Sequence, residues 1–113
     1  MIIKNKSIKL IINLALIFFS GCAYFNYFYN ANQFFDQAQS EILDLKDGED
    51  FSPTIINLFN QTIDRCNIVI DKYPDSKFVP DALFLKAKSH FFKKDYVLSK
   101  STLENLSSFD LND

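Results

Sequence analysis

Glycine occurs only twice in the 113 residues, proline three times and tryptophan not at all. So few turn-formers exclude a β-sandwich or barrel, which needs a turn signal about every 8–12 residues, and leave helices joined by short loops. Gly21 and Gly48 alone cannot build a phosphate-cradling loop. One histidine, His90, and two cysteines, Cys22 and Cys66, are too few for a zinc site. Ser89 and His90 are neighbours in a helical segment and cannot face each other as nucleophile and base. Together these absences imply a chain that is not an enzyme and that carries neither metal nor cofactor.

What is present is apolar and aromatic, with thirteen phenylalanines and 48% hydrophobic residues, enough for one small helical domain. The formal charge of −2 hides an asymmetry. Lys4, Lys6 and Lys9 precede residue 22 with no acidic residue among them, leaving nine basic against fourteen acidic residues in the remainder. An acidic surface repels nucleic acid, so no such partner is expected. Lys86, Lys88, Lys93 and Lys94 form a local basic patch, read as a solvated face.

The three lysines form a positive n-region, and Leu10 to Phe19, interrupted only by Asn13, an apolar h-region, which is the layout of a secretory signal. The apolar run is shorter than the roughly 20 residues that span a bilayer. It ends in Phe19-Ser20-Gly21-Cys22, which resembles the lipobox of bacterial lipoproteins. The resemblance implies cleavage between Gly21 and Cys22 and a diacylglyceryl thioether on Cys22, so that residues 1–21 are a signal peptide and 22–113 the mature domain. Phe19 departs from the family, which favours a smaller aliphatic there. Two or three acyl chains, at about 0.8 kcal/mol per buried methylene, would hold the chain stably on a membrane. Ala23, in place of the aspartate that retains enteric lipoproteins in the inner membrane, implies the outer membrane, with the domain facing the periplasm. Cys66 then has no disulfide partner and reads as a small buried hydrophobe.

The mature chain reads as four helices. From Tyr24 to about Lys46, a stripe of Tyr24, Phe28, Ala31, Phe35, Ala38, Ile42 and Leu45 predicts a core-facing helix, and its aromatic start suits a bilayer interface. Gly48 is expected to end it. Ser52 and Pro53 predict the N-cap and first residue of a second helix reaching Tyr73. Pro74 breaks that helix, and Asp75 or Ser76 is expected to cap a third, from Val79 to Lys93, apolar over more than one face. A fourth runs from Tyr96 to about Ser108 with Asp95 as its N-cap.

Leu83, Ala87, Phe91, Tyr96 and Ser99 are spaced so that the third and fourth helices look like a tetratricopeptide (TPR) repeat, with Lys86 standing where an aliphatic is usual. The phrase Ile68 to Ser76, followed by Asp81-Ala82-Leu83, is similar to TPR lipoproteins of the outer-membrane assembly, BamD-like, group. The fold expected is therefore all-α, antiparallel hairpins of TPR type, about two repeats after a lipoprotein signal peptide. Such hairpins leave a flank for a neighbour to cover, and about three repeats are wanted for independent stability. The mature domain is accordingly expected to be C-terminally truncated, or to have Phe91, Leu103 and Leu106 covered by a partner. The resemblance implies a non-catalytic scaffold on the outer membrane, anchored through lipid on Cys22, that binds an envelope protein such as a β-barrel assembly component through Phe84, Lys88 and Phe91. Two other readings remain open: an accessory subunit of a cell-wall-remodelling enzyme, and a purely structural lipoprotein.

Overall fold

The computed structural model describes residues 5–111, with the side chains of residues 18–22 and 110–111 outside that description. Four helices make up the fold: α1 (Lys6–Leu43), α2 (Pro53–Lys72), α3 (Val79–Phe92) and α4 (Tyr96–Leu111). No strand occurs among the described residues.

Ser52 caps α2 as expected, its Oγ accepting the Ile55 N–H at 3.3 Å, with Pro53 in the first turn. A cap of this kind contributes about 1 kcal/mol. At the start of α3 neither Asp75 nor Ser76 is the cap: the N-cap position is Phe78, with no side-chain bond, and Ser76 Oγ accepts the Phe78 N–H at 3.1 Å in the turn before the helix. Gly48 has φ of +86°, but it does not end α1, which stops at Leu43. It sits at the third position of the turn that the Glu49 N–H closes onto the Lys46 carbonyl, where a left-handed residue is required. The left-handed residue that does end a helix is Lys94, with φ of +67° after α3. Around it the Asp95 N–H donates to the His90 carbonyl and the Lys94 N–H to the Phe91 carbonyl, the paired bonds of a Schellman ending.

The largest departure from expectation is α1, which begins at Lys6 rather than Tyr24. Nothing between those positions breaks a helix: there is no proline, and the one glycine, Gly21, costs only about 1 kcal/mol. The h-region and the aromatic segment therefore share one 38-residue helix. No helix among the described residues is long and apolar enough to cross a membrane.

Ring contacts fix how the helices pack. Tyr24 of α1 lies against Tyr73 at the far end of α2, while Phe35 meets Phe59 near the α2 start, so α1 and α2 run antiparallel. Phe59 in turn stacks on Phe92 at the end of α3, which runs α3 back along α2. On α1 the expected stripe delivers the buried Ala31, Phe35 and Ala38, with Phe28 and Ile42 partly buried beside them and Leu45 partly buried just past the helix end. On α2 the buried apolar residues are Ile55, Phe59, Ile63, Cys66 and Val69, with Ile70 and Tyr73 half-buried. Phe59 is fully buried between Phe35 and Phe92, each 5.9 Å away by ring centroid. Burying side chains of this size contributes about 1.5–3 kcal/mol each, which makes this aromatic triad the centre of the core.

Buried hydroxyls are satisfied locally. Thr62 Oγ1 donates to the Leu58 carbonyl and Ser89 Oγ to the Leu85 carbonyl, each one turn back. Ser99 Oγ instead crosses from α4 to the Ala87 carbonyl of α3 at 2.9 Å. Two small residues at that crossing let the helices approach closely enough for the bond.

Candidate functional site

α3 is covered by α1 and α2 on one side and by α4 on another, which accounts for its apolar residues on several faces. Leu83, Leu85 and Ala87 are buried, yet Phe84 and Phe91 remain 48% and 55% exposed. With Leu103 of α4, 44% exposed, they line an open groove of about 130 Å³. Ala87 and Ser99 form its floor and Lys88 one wall. The structure thus brings together Phe84, Lys88 and Phe91, which lie one helical turn apart along α3.

Lys88 is half-buried. Its Nζ stands 4.8 Å from the Phe84 ring centroid and 5.0 Å from that of Phe35, so one ammonium bridges the groove and the core by cation–π contact. Lys93 also leaves the expected basic face, its side chain largely buried and its Nζ 3.1 Å from Asp95 Oδ2. Lys94, at the left-handed position, remains exposed. Phe91 and Tyr96 lean edge-to-face on each other at 5.5 Å on the outer edge of the hairpin. Leu106 is partly buried against the core, so of the three residues expected to need cover only Phe91 and Leu103 do.

Cys66 is fully buried, and burial pushes its thiol up to about 12 from 9.0, with Lys86 and Lys88 pulling weakly the other way. It stays protonated and unreactive. His90 is 7% exposed at the end of α3, and its Nδ1 is 3.9 Å from Asp95 Oδ2, beyond hydrogen-bond reach. Burial first, then the Lys93 and Lys86 charges, lower its affinity for a proton, opposed by Asp95. The folded chain therefore keeps His90 neutral at a pH where the unfolded chain takes up a proton. Stability is complete above the unfolded value of 6.5 and falls as the pH drops below it, until the folded state also protonates. Urea midpoints measured from pH 7.5 to 5 should show this decline, and His90→Gln should flatten it; an unchanged slope in that variant would assign the decline to other groups.

Among the described residues no group of three or more His, Cys, Asp or Glu could hold a metal ion. Gly21 and Cys22 lie within α1, and their side chains fall outside the described residues.

A second concentration of aromatics was only half legible in the sequence. Tyr24, Phe25, Tyr27, Phe28 and Tyr29 of α1 are joined by Tyr73 and Phe78 from the α2–α3 turn. Phe78 stacks on Phe28 at 5.1 Å and also lies against Tyr24 and Phe25, while Lys77 Nζ is 5.3 Å from its ring centroid. Beside this cluster is an open cavity of about 620 Å³ lined by Ile17, Tyr24 and the run from Lys72 to Lys77.

No family model matches the chain, and no match was found among curated proteins or solved structures.

Proposed function

We propose that the chain is a lipid-anchored, non-catalytic scaffold: Cys22 holds it on a membrane, and the groove between α3 and α4 binds another protein of the cell envelope. The observation that carries the protein-binding half is the exposure of Phe84, Phe91 and Leu103 around one groove. Aromatic side chains clustered over a preformed pocket are the groups that supply most binding energy at protein interfaces. The small-residue crossing of Ala87 and Ser99 supports a TPR-type hairpin, in which such a groove is where a further helix packs. The anchoring half rests on the n-region, the h-region and the lipobox-like Phe19-Ser20-Gly21-Cys22. The resemblance of the segment Ile68 to Leu83 to outer-membrane assembly lipoproteins favours the outer membrane and a partner in β-barrel assembly.

A photo-crosslinking residue at position 84 tests the groove in cells. It is expected to capture one defined envelope protein, and the pair Phe84→Ser and Phe91→Ser should lower recovery of that protein at least about tenfold. Both rings are half exposed, so the thermal midpoint should change little. Loss of stability without any change in partner recovery would favour the purely structural reading.

A further inference from the structure

We propose that the aromatic end of the domain, formed jointly by the start of the mature α1 and the α2–α3 turn, is a second membrane contact that seats the chain in the headgroup region of the bilayer. This rests on the reading that the chain is membrane-anchored near residue 22, and it adds a distinct surface to that anchor.

Four of the five tyrosines, Tyr24, Tyr27, Tyr29 and Tyr73, gather at this end. Tyrosine combines an apolar body with a polar tip and is the side chain, with tryptophan, that collects at the boundary between acyl chains and headgroups. The central core has the opposite chemistry: Phe35, Phe59 and Phe92 meet there without a hydroxyl among them. Tyr24 and Phe35 are separated by about 17 Å of helix; Tyr27, Phe28 and Phe78 pack on the edge of the core, and Phe25 and Tyr29 stand outside it. Phe25 and Tyr29 stack on each other at 6.3 Å while remaining 50% and 52% exposed, a pair of rings left uncovered by the protein.

Continuity along α1 indicates what covers them. Tyr24, Phe25 and Tyr29 follow residue 22 within two turns of the same helix, about 3–11 Å along its axis, so an anchor at that residue brings the aromatic collar to the bilayer surface. The turn supplies the matching polar groups. Lys72 and Lys77 flank Pro74, and a lysine's long stem can lie along apolar surface while its ammonium reaches a phosphate. Asp71 and Asp75 share the turn, so it is not a basic patch and does not select anionic lipid. The contact should therefore form on zwitterionic phospholipid. The cavity of about 620 Å³ beside Tyr24 and the Lys72–Lys77 run is within the about 300–1,000 Å³ range of small-molecule sites. On the lipoprotein reading, cleavage removes Ile17 from its rim and opens it toward the bilayer.

Because the chain has no tryptophan, single reporters can be placed at Phe25→Trp, Lys77→Trp and Val97→Trp, all exposed positions. Each is prepared in two forms on phosphatidylcholine vesicles: the chain as extracted from membranes, and residues 23–113 held by an N-terminal hexahistidine tag on nickel-chelating lipid. Bromine on the lipid acyl chains should quench the reporters at 25 and 77 about twofold, as expected for side chains about 5–10 Å into the interface, and leave the reporter at 97 unchanged. The tagged form isolates this contact from the native anchor. Quenching at 77 there stands even if the extracted chain carries no lipid. A reporter at 77 that bromolipid fails to quench in both forms would overturn the proposal, as would equal quenching at 97.

Discussion

Cys22→Ser is expected to release the chain from membranes or to leave a precursor that still carries residues 1–21. No other single substitution should alter the protein's location so completely. The physical reason is that attachment by acyl chains is steep in their number. One chain gives marginal, reversible binding, whereas two or three bury enough methylene, at about 0.8 kcal/mol each, to make release negligible. Oxygen at position 22 cannot form the thioether, so both the lipid and the cleavage that depends on it are lost together. Cell fractionation and electrophoretic mobility read the two consequences separately. The wild-type chain should be membrane-bound and short; the variant should be released from the membrane or migrate as the longer precursor. Unchanged mobility with unchanged membrane association would sink the lipoprotein reading and with it the anchoring half of the proposed function.

Phe59→Ala is expected to cost about 3–5 kcal/mol of folding stability, the largest effect of any core truncation in this chain. Phe59 is fully buried, lies parallel to Phe92 with only 2° between ring planes, and receives the edge of Phe35 at 64°. Removing it empties the point where α1, α2 and α3 meet: α2 loses its ring contacts with Phe35 of α1 and Phe92 of α3, and only the Phe35–Phe92 contact at 6.0 Å is left. A small domain has about 5–15 kcal/mol in total, so much of it would be gone. Urea denaturation followed by helical circular dichroism measures the loss directly. Val97→Ala, at a position 83% exposed on α4, serves as the comparison and should change stability by less than about 0.5 kcal/mol. If Phe59→Ala cost no more than the comparison, the aromatic triad would not be the centre of the core.

These expectations separate what is written locally in the chain from what arises only on packing. Ser52-Pro53 reads as a helix start from sequence because cap and first-turn proline act within four residues, and the structure places α2 there. The stripe through Phe35 and Ala38 reads as a buried face for a similar reason, since period alone selects it. The start of α1 did not read correctly, because the change from leader to aromatic segment alters composition without breaking the helix. The tight turn from Lys94 to Tyr96 was legible, but not its left-handed residue: that is a lysine where glycine is usual, and only the paired backbone bonds reveal it.

The functional surfaces divide in the same way. Phe84, Lys88 and Phe91 were legible as neighbours along one helix, because their spacing of three and four puts them on one face. That Leu103 completes the groove, and that Lys88 is held over two rings, depend on how α4 and α1 pack against α3. The joining of Tyr73 and Phe78 to the aromatic residues that follow residue 22 is likewise tertiary, since they lie 49 and 54 positions beyond Tyr24 and no local pattern links them.

The most direct test of the central claim is the intact mass of the chain extracted from membranes in detergent. The account predicts a protein that begins at Cys22 and carries the added mass of a diacylglyceryl group, with or without a further acyl chain on the new N-terminus. An unmodified chain that still begins at Met1, or one cut elsewhere without lipid, would contradict it.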